Sequence, residues 1–328
     1  MDNMSTCSCS FFSAYQWALF STYVLLPLAC TVPPAYGDEP RSQPATAEST
    51  DRGEARNRQY AKNLEAYLRQ YLVDDYPKRA AKAWNRDDRT VEAFLASVEP
   101  NRRRWRTLLH PPVFPPSGPP QRAPYATSAD PRIEWLTVPI GPIQADALLA
   151  MPESPAGRVP LVIAQHGLGG VPGQIFGFQD DGRIYHAYAC RLVEAGFAVL
   201  APLNLSTADE RNRIERMCRL ADTSLQGIEL VRLQRLLDVV LANTRINGER
   251  VGMWGVSLGG LATLSWMPLE PRIKVGVVSA WFNDRCPKMV TPDNRYSCFL
   301  DSNEEHAFLG GWLTEFSDDD IVSLICPR

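Results

Sequence analysis

Val251–Gly260 reads VGMWGVSLGG, and this stretch decides the fold. Its first half is an apolar run with a β-strand composition; its second half opens a helix that continues to Trp266. Between them stands Gly255-Val256-Ser257-Leu258-Gly259, a G-x-S-x-G pattern at a strand-to-helix junction. A turn that sharp strains the serine backbone and lifts its hydroxyl out of the sheet. Glycines two residues to either side leave room for the turn and for close helix packing. The free N–H groups and positive dipole end of the helix lie beside the hydroxyl. Ser257 is therefore the candidate nucleophile, and the Leu258 amide a candidate oxyanion donor.

Upstream, Leu161–Gln165 is a short apolar run that ends in His166-Gly167-Leu168-Gly169-Gly170. A glycine-rich turn after a strand can aim a second amide, that of Leu168, at the same oxyanion. His166 is read as a loop-ordering residue and not as a base. A dinucleotide-binding reading of these glycines fails. Pro172 stands where the third glycine belongs, and the next strand ends APLNL without an acid.

Around these motifs, strands alternate with helices. Strands are expected at Ile133–Val138, Ile143–Met151, Leu161–Gln165, Phe197–Leu203, Val251–Val256 and Ile273–Ala280. Helices are expected at Ile184–Ala195, Gln226–Ala242 and Leu258–Trp266. Little polar alternation within the later strands implies an α/β fold, with a mostly parallel sheet covered by helices on both faces.

With these segments placed, the chain resembles the α/β-hydrolase superfamily, specifically its dienelactone-hydrolase-like and acetyl-xylan-esterase-like serine esterases. The resemblance covers about residues 133–328 and rests on LVIAQHGLGG, FAVLAPLNL, NGERVGMWGVSLGG and IKVGVVSAWF. It implies an eight-stranded sheet, a serine nucleophile, an acid after a late strand and a histidine near the C-terminus. It implies no metal and no organic cofactor.

The partners of Ser257 are the weak point. His306 is the one histidine that follows it, with Asp284, Asp293 and Asp301 between them. A compact triad could use one of these acids with His306. The alternative is that Phe316–Arg328, which includes Asp318-Asp319-Asp320, is the family's approach to its seventh strand. In that case acid and base both fall beyond Arg328, the hydrolase domain is incomplete at its C-terminus, and His306 is structural. Asp318–Asp320 then read as a polar helix cap.

The N-terminal forty residues contain no Lys or Arg and carry an apolar run from Tyr15 to Ala29. With Ala35-Tyr36-Gly37 as cleavage site, residues 1–37 read as a signal peptide. A lipid attachment at Cys30 or a helical anchor is the alternative. Export, to a periplasmic or extracellular place, is the expectation, without stable membrane insertion after cleavage. Residues 38–50 read as a linker, 51–110 as a helical N-terminal extension, 111–132 as a proline-rich connector and 133–328 as the hydrolase domain.

Composition adds exclusions. Of 328 residues, 34 are Lys or Arg and 37 Asp or Glu, so bulk charge gives no case for nucleic acid. The basic cluster Arg102-Arg103-Arg104-Trp105-Arg106 reads as a solvated helix end. Eight cysteines are too few for a disulfide scaffold, although Cys286 and Cys298 bracket a loop and are candidates for a bridge. Trp281 and Trp312 could line a sugar site or lie in the core. The function expected is an exported serine hydrolase acting on small-molecule or carbohydrate-linked esters. The rivals are a catalytically inactive binding protein of the same fold, a truncated fragment, and a prolyl-oligopeptidase-type peptidase.

Overall fold

A computed structural model describes residues 47–127, 132–153, 157–180, 184–293 and 299–328. The chain divides into two units, Met1–Asn57 and Arg58–Arg328. Of the first, only the opening turns of helix α1 (Ala47–Arg69) fall within the described residues. The stretch read as signal peptide lies outside them, as does Cys298. Among the described residues no helix is long and apolar enough to cross a membrane.

The N-terminal part is helical, as expected, but its limits differ. Helix α1 begins at Ala47, inside the stretch read as a linker: AEST carries no helix breaker, and the helix extends back through it. Helices α2 (Tyr76–Ala83) and α3 (Val91–Leu109) follow. Thr90 starts α3 by accepting the Ala93 amide on its hydroxyl. Val98, Trp105 and Leu109 of α3 are fully buried in the main core, and the Trp105 indole donates to Ser265 O at 2.9 Å. So α3 is a wall of the α/β core and not an appendage to it.

The proline-rich connector also holds structure. Strand β1 (Gln121–Pro124) pairs antiparallel with β2 (Ile133–Ile140), at the sheet edge where proline is tolerated. The remaining strands are β3 (Ile143–Ala150), β4 (Val159–Gln165), β5 (Ala198–Pro202), β6 (Ile246–Val256) and β7 (Ile273–Ser279). Their order is β1-β2-β3-β5-β4-β6-β7. Pairing is antiparallel from β1 as far as β5 and parallel through β5, β4, β6 and β7.

Strand β5 shows why the pattern lacks polar alternation. Ala198 and Leu200 pack into one core cluster, and Val199 and Ala201 into the other. Both faces are covered, so every position is apolar. One face is closed by α3, α7 (Leu225–Val240) and α8 (Leu258–Trp266), the other by α4 (Pro172–Ile175) and α5 (Tyr188–Glu194).

Helix α6 (Ala208–Leu220) has no counterpart among the expected elements. Its buried face is Arg211, Asn212, Glu215 and Cys218, so hydrophobic periodicity does not register it. Arg211 makes a two-pronged ion pair with Glu229 of α7, at 2.7 and 3.1 Å, and also donates to Leu205 O. Helices α9 (Arg285–Val290), α10 (Trp312–Glu315) and α11 (Asp318–Ser323) follow β7. Seven strands are seen among the described residues, against the eight that the resemblance implies.

Candidate functional site

Ser257 joins β6 to α8 with φ 55° and ψ −114°, a left-handed backbone that an L-residue adopts only under strain. The surrounding backbone holds it there. Its amide donates to Ser279 O of β7 at 2.9 Å, and its carbonyl accepts from Leu261 N at 3.0 Å. A Cβ on Gly255 would lie 1.8 Å from Gly259 O, and one on Gly259 would lie 2.3 Å from Gln165 O. The two glycines of the motif are therefore set by close backbone approach. The Ser257 side chain is exposed, and its hydroxyl makes no hydrogen bond to any described residue.

The glycine loop after β4 lies against this turn. A Cβ on Gly167 would come within 3.3 Å of Ser257 Cβ. Three bonds shape the loop. Gly167 N donates to Tyr185 Oη at 2.8 Å, Gly169 N to Ser206 O at 2.7 Å and Gly170 N to Gly167 O at 3.1 Å. The amides of Leu168 and Leu258 have no acceptor among the described residues. Both N–H groups belong to the two segments that meet where the glycine loop contacts the serine turn. Tyr185, which braces the loop from below, carries no sequence signal of its own.

His166 is fully buried. Its Nε2 accepts from Asn204 N at 3.2 Å, which leaves Nδ1 to donate to Gly167 O at 2.9 Å. Burial holds its pKa below the usual histidine value. The ring is a neutral strut between the loops after β4 and β5, as the sequence reading had it.

Ser257 opens onto a cavity of about 470 Å³ with Trp281, Asn283, Lys288, Phe299 and Glu304 among its walls. His306 does not line it. That imidazole is buried behind Glu304, its Nε2 3.6 Å from Glu304 Oε2, and neither ring nitrogen has a hydrogen-bond partner. Burial, reinforced by the Arg211 charge, pushes its pKa down to about 3. Burial also raises the Glu304 carboxyl above the usual carboxylate range. From the serine outward the order is cavity, Glu304, His306, the reverse of a Ser-His-acid relay. The geometry does not assemble the compact triad: Asp284, Asp293 and Asp301 are also absent from the cavity wall among the described residues. Glu304 was missed by sequence reading, since a lone glutamate in a loop gives no signal.

The other candidates fall into place. Asp318 is fully buried and grips Arg285 with both oxygens, at 2.9 and 2.8 Å, while accepting from Asn283 N at 2.9 Å. Asp320 and Ser317 form a reciprocal cap at the start of α11. Trp312 is core, packed edge-on against Trp105. Trp281 is 7% exposed and stacks on Arg285, so its cavity-lining face is small. Cys286 is a free, buried thiol whose pKa burial pushes up to about 12. Among the described residues no cluster of side chains is arranged to hold a metal.

No protein-family model matches the chain. A Bacillus subtilis (strain 168) protein named "Putative hydrolase YtaP" is 26% identical over 195 residues, which cover 56% of this chain and 62% of that protein. The match thus spans less than two thirds of that relative's length. Among solved structures, a Bacteroides fragilis NCTC 9343 protein titled "putative acetyl xylan esterase" superimposes with TM-score 0.61 at 16% identity, covering 75% of this chain and 69% of that one. A glucuronoyl esterase from Teredinibacter turnerae T7901 aligns with TM-score 0.47 at 13% identity, covering 73% and 66%. The sheet order, the strained serine turn and the 0.61 superposition give the chain the α/β-hydrolase fold.

Proposed function

We propose that this chain carries the nucleophile and oxyanion hole of an exported serine hydrolase that cleaves carboxylic esters attached to carbohydrate. One observation carries the reading: the strained Ser257 turn exposes its hydroxyl, and the amides of Leu168 and Leu258, on the two segments that meet there, lack acceptors. The similarity to the Bacteroides fragilis structure supports the carbohydrate-ester class. The N-terminal apolar run supports export.

The chemistry follows from that arrangement. Ser257 Oγ adds to the ester carbonyl, its proton passes to a base, and the carbonyl oxygen becomes an oxyanion. The Leu168 and Leu258 amides donate to that oxygen, and a donor so preorganised lowers the barrier by about 3 kcal/mol. Collapse breaks the C–O bond to the sugar, whose alkoxide takes up the proton held by the base, and leaves an acyl-Ser257 ester that water hydrolyses. Neither His166 nor His306 lines the Ser257 cavity, and both rings are buried, so neither is the base that takes this proton.

The absence of an imidazole from the described cavity wall favours a second reading, a binding protein that keeps the fold without turnover. Assay on an aryl acetate and on acetylated xylo-oligosaccharide, with Ser257→Ala in parallel, separates the two. The esterase reading expects turnover that Ser257→Ala abolishes; equal turnover in both proteins contradicts it.

A further inference from the structure

The basic cluster of α3 divides into two sets. Arg104 turns inward and donates to Glu315 and to Ala83 O. Arg102, Arg103 and Arg106, with Glu99, lie three and four residues apart and share one helix face. That face borders a cleft of about 510 Å³ whose other walls bring Lys274 and Arg328 into the same space. Five cationic side chains therefore line the cleft with one acidic side chain, Glu99, in a chain whose overall charge is −3.

The Glu99 carboxylate is already engaged by Arg102 and Arg103, and Glu270, the carboxylate that acts on Arg328 from behind the cleft, is engaged by Arg272. Arg106, Lys274 and Arg328 make no ion pair among the described residues. Two of the guanidinium groups are held in place by backbone: Arg102 donates to Leu324 O, and Arg328 to Glu270 O, Ile273 O and Met267 O. They stand close enough that, after burial, the Arg102 charge is what most lowers the pKa of Arg328. A like-charge cluster held in place in this way gains from a bound oxyanion, and the guanidinium fork fits carboxylate or sulfate with two parallel bonds.

We propose that this cleft, on residues separate from the Ser257 cavity, binds an acidic oligosaccharide through its carboxylate or sulfate groups. Leucine and proline supply the apolar walls, and no aromatic ring lines the cleft, so a nucleic acid would find no surface on which to stack its bases. The choice of a glycan among polyanions rests on the carbohydrate-ester reading; the cationic site itself does not.

The test is calorimetric titration of the full chain with oligogalacturonate, sulfated oligosaccharide, neutral xylo-oligosaccharide and single-stranded DNA. Saturable binding of an acidic oligosaccharide that weakens with added salt is expected, with none for the neutral one. Arg103→Gln/Arg106→Gln/Lys274→Gln is expected to weaken it at least about tenfold. Arg103 and Arg106 are exposed and Lys274 is half-buried with one bond, to Pro271 O, and circular dichroism checks that the variant keeps its fold. Glu99→Gln, which removes the competing carboxylate, is expected to tighten binding severalfold. Ser257→Ala is expected to bind like the parent chain, so the site can stand even where the esterase reading fails. No binding of either acidic oligosaccharide, equal binding by the triple variant, or tighter binding of DNA would overturn the proposal.

Discussion

The imidazole of His306 stands 3.6 Å behind the Glu304 carboxylate, and Glu304, not His306, reaches the cavity that Ser257 opens onto. A histidine so placed cannot take the serine proton, since a general base needs hydrogen-bond reach of the group it deprotonates. His306→Gln is therefore expected to react with a fluorophosphonate within about twofold of the parent rate, well short of the 10²–10⁴ that general-base catalysis supplies. Loss of labelling in a His306→Gln protein that remains folded would restore the compact triad.

Gly255 has no room for a side chain, because a Cβ there would meet Gly259 O at 1.8 Å. Gly255→Ala must push α8 off the end of β6, which costs about 3 kcal/mol. Gly248→Ala meets nothing within 4 Å and serves as the control. Denaturant unfolding of the two variants checks the contrast.

Arg285 and Asp318 form an ion pair with both side chains at 0% exposure. The guanidinium lies among Trp281, Phe299 and Trp312, with its carbon 4.5 Å from the Trp281 ring centre. Asp318→Asn leaves a buried positive charge without its partner and is expected to cost about 3–5 kcal/mol. Arg285→Met/Asp318→Leu removes both charges and is expected to recover most of that loss. A double variant less stable than Asp318→Asn would show that the pair does more than neutralise itself.

Acid should weaken the fold through His306. Its pKa is about 3 in the folded chain against about 6.5 when exposed, so the unfolded chain binds a proton first as pH falls. The stability that this neutral ring contributes is complete above about pH 6.5 and is lost between there and pH 3, at up to about 1.4 kcal/mol per pH unit. His166 is displaced in the same direction. His306→Gln is expected to show a shallower fall of unfolding free energy between pH 6.5 and 4 than the parent; identical slopes would contradict the assignment.

Much of the fold was readable because its determinants are local. The G-x-S-x-G turn requires small residues where backbones meet, and β5 is apolar throughout because both its faces are covered. Helix α6 escaped because its buried face is built from Arg211, Asn212 and Glu215, whose partners lie on other elements. Strand β1 escaped because the proline-rich stretch around it read as connector, although an edge strand tolerates its Pro124. Of the candidate site, the strained turn at Ser257 was readable from motif spacing. Glu304 comes from a loop, Lys288 from α9 and Tyr185 from the segment before α5, and nothing near them in sequence announces these positions.

The central claim is that Ser257 is an activated acyl acceptor beside a preformed oxyanion hole. Peptide mass spectrometry after exposure to a fluorophosphonate tests it most directly, because the adduct mimics the tetrahedral intermediate and marks the reacting oxygen. The account predicts one adduct, on the peptide that contains Ser257, and none in Ser257→Ala. An unlabelled Ser257 in the folded chain, or an adduct at another residue, would contradict it.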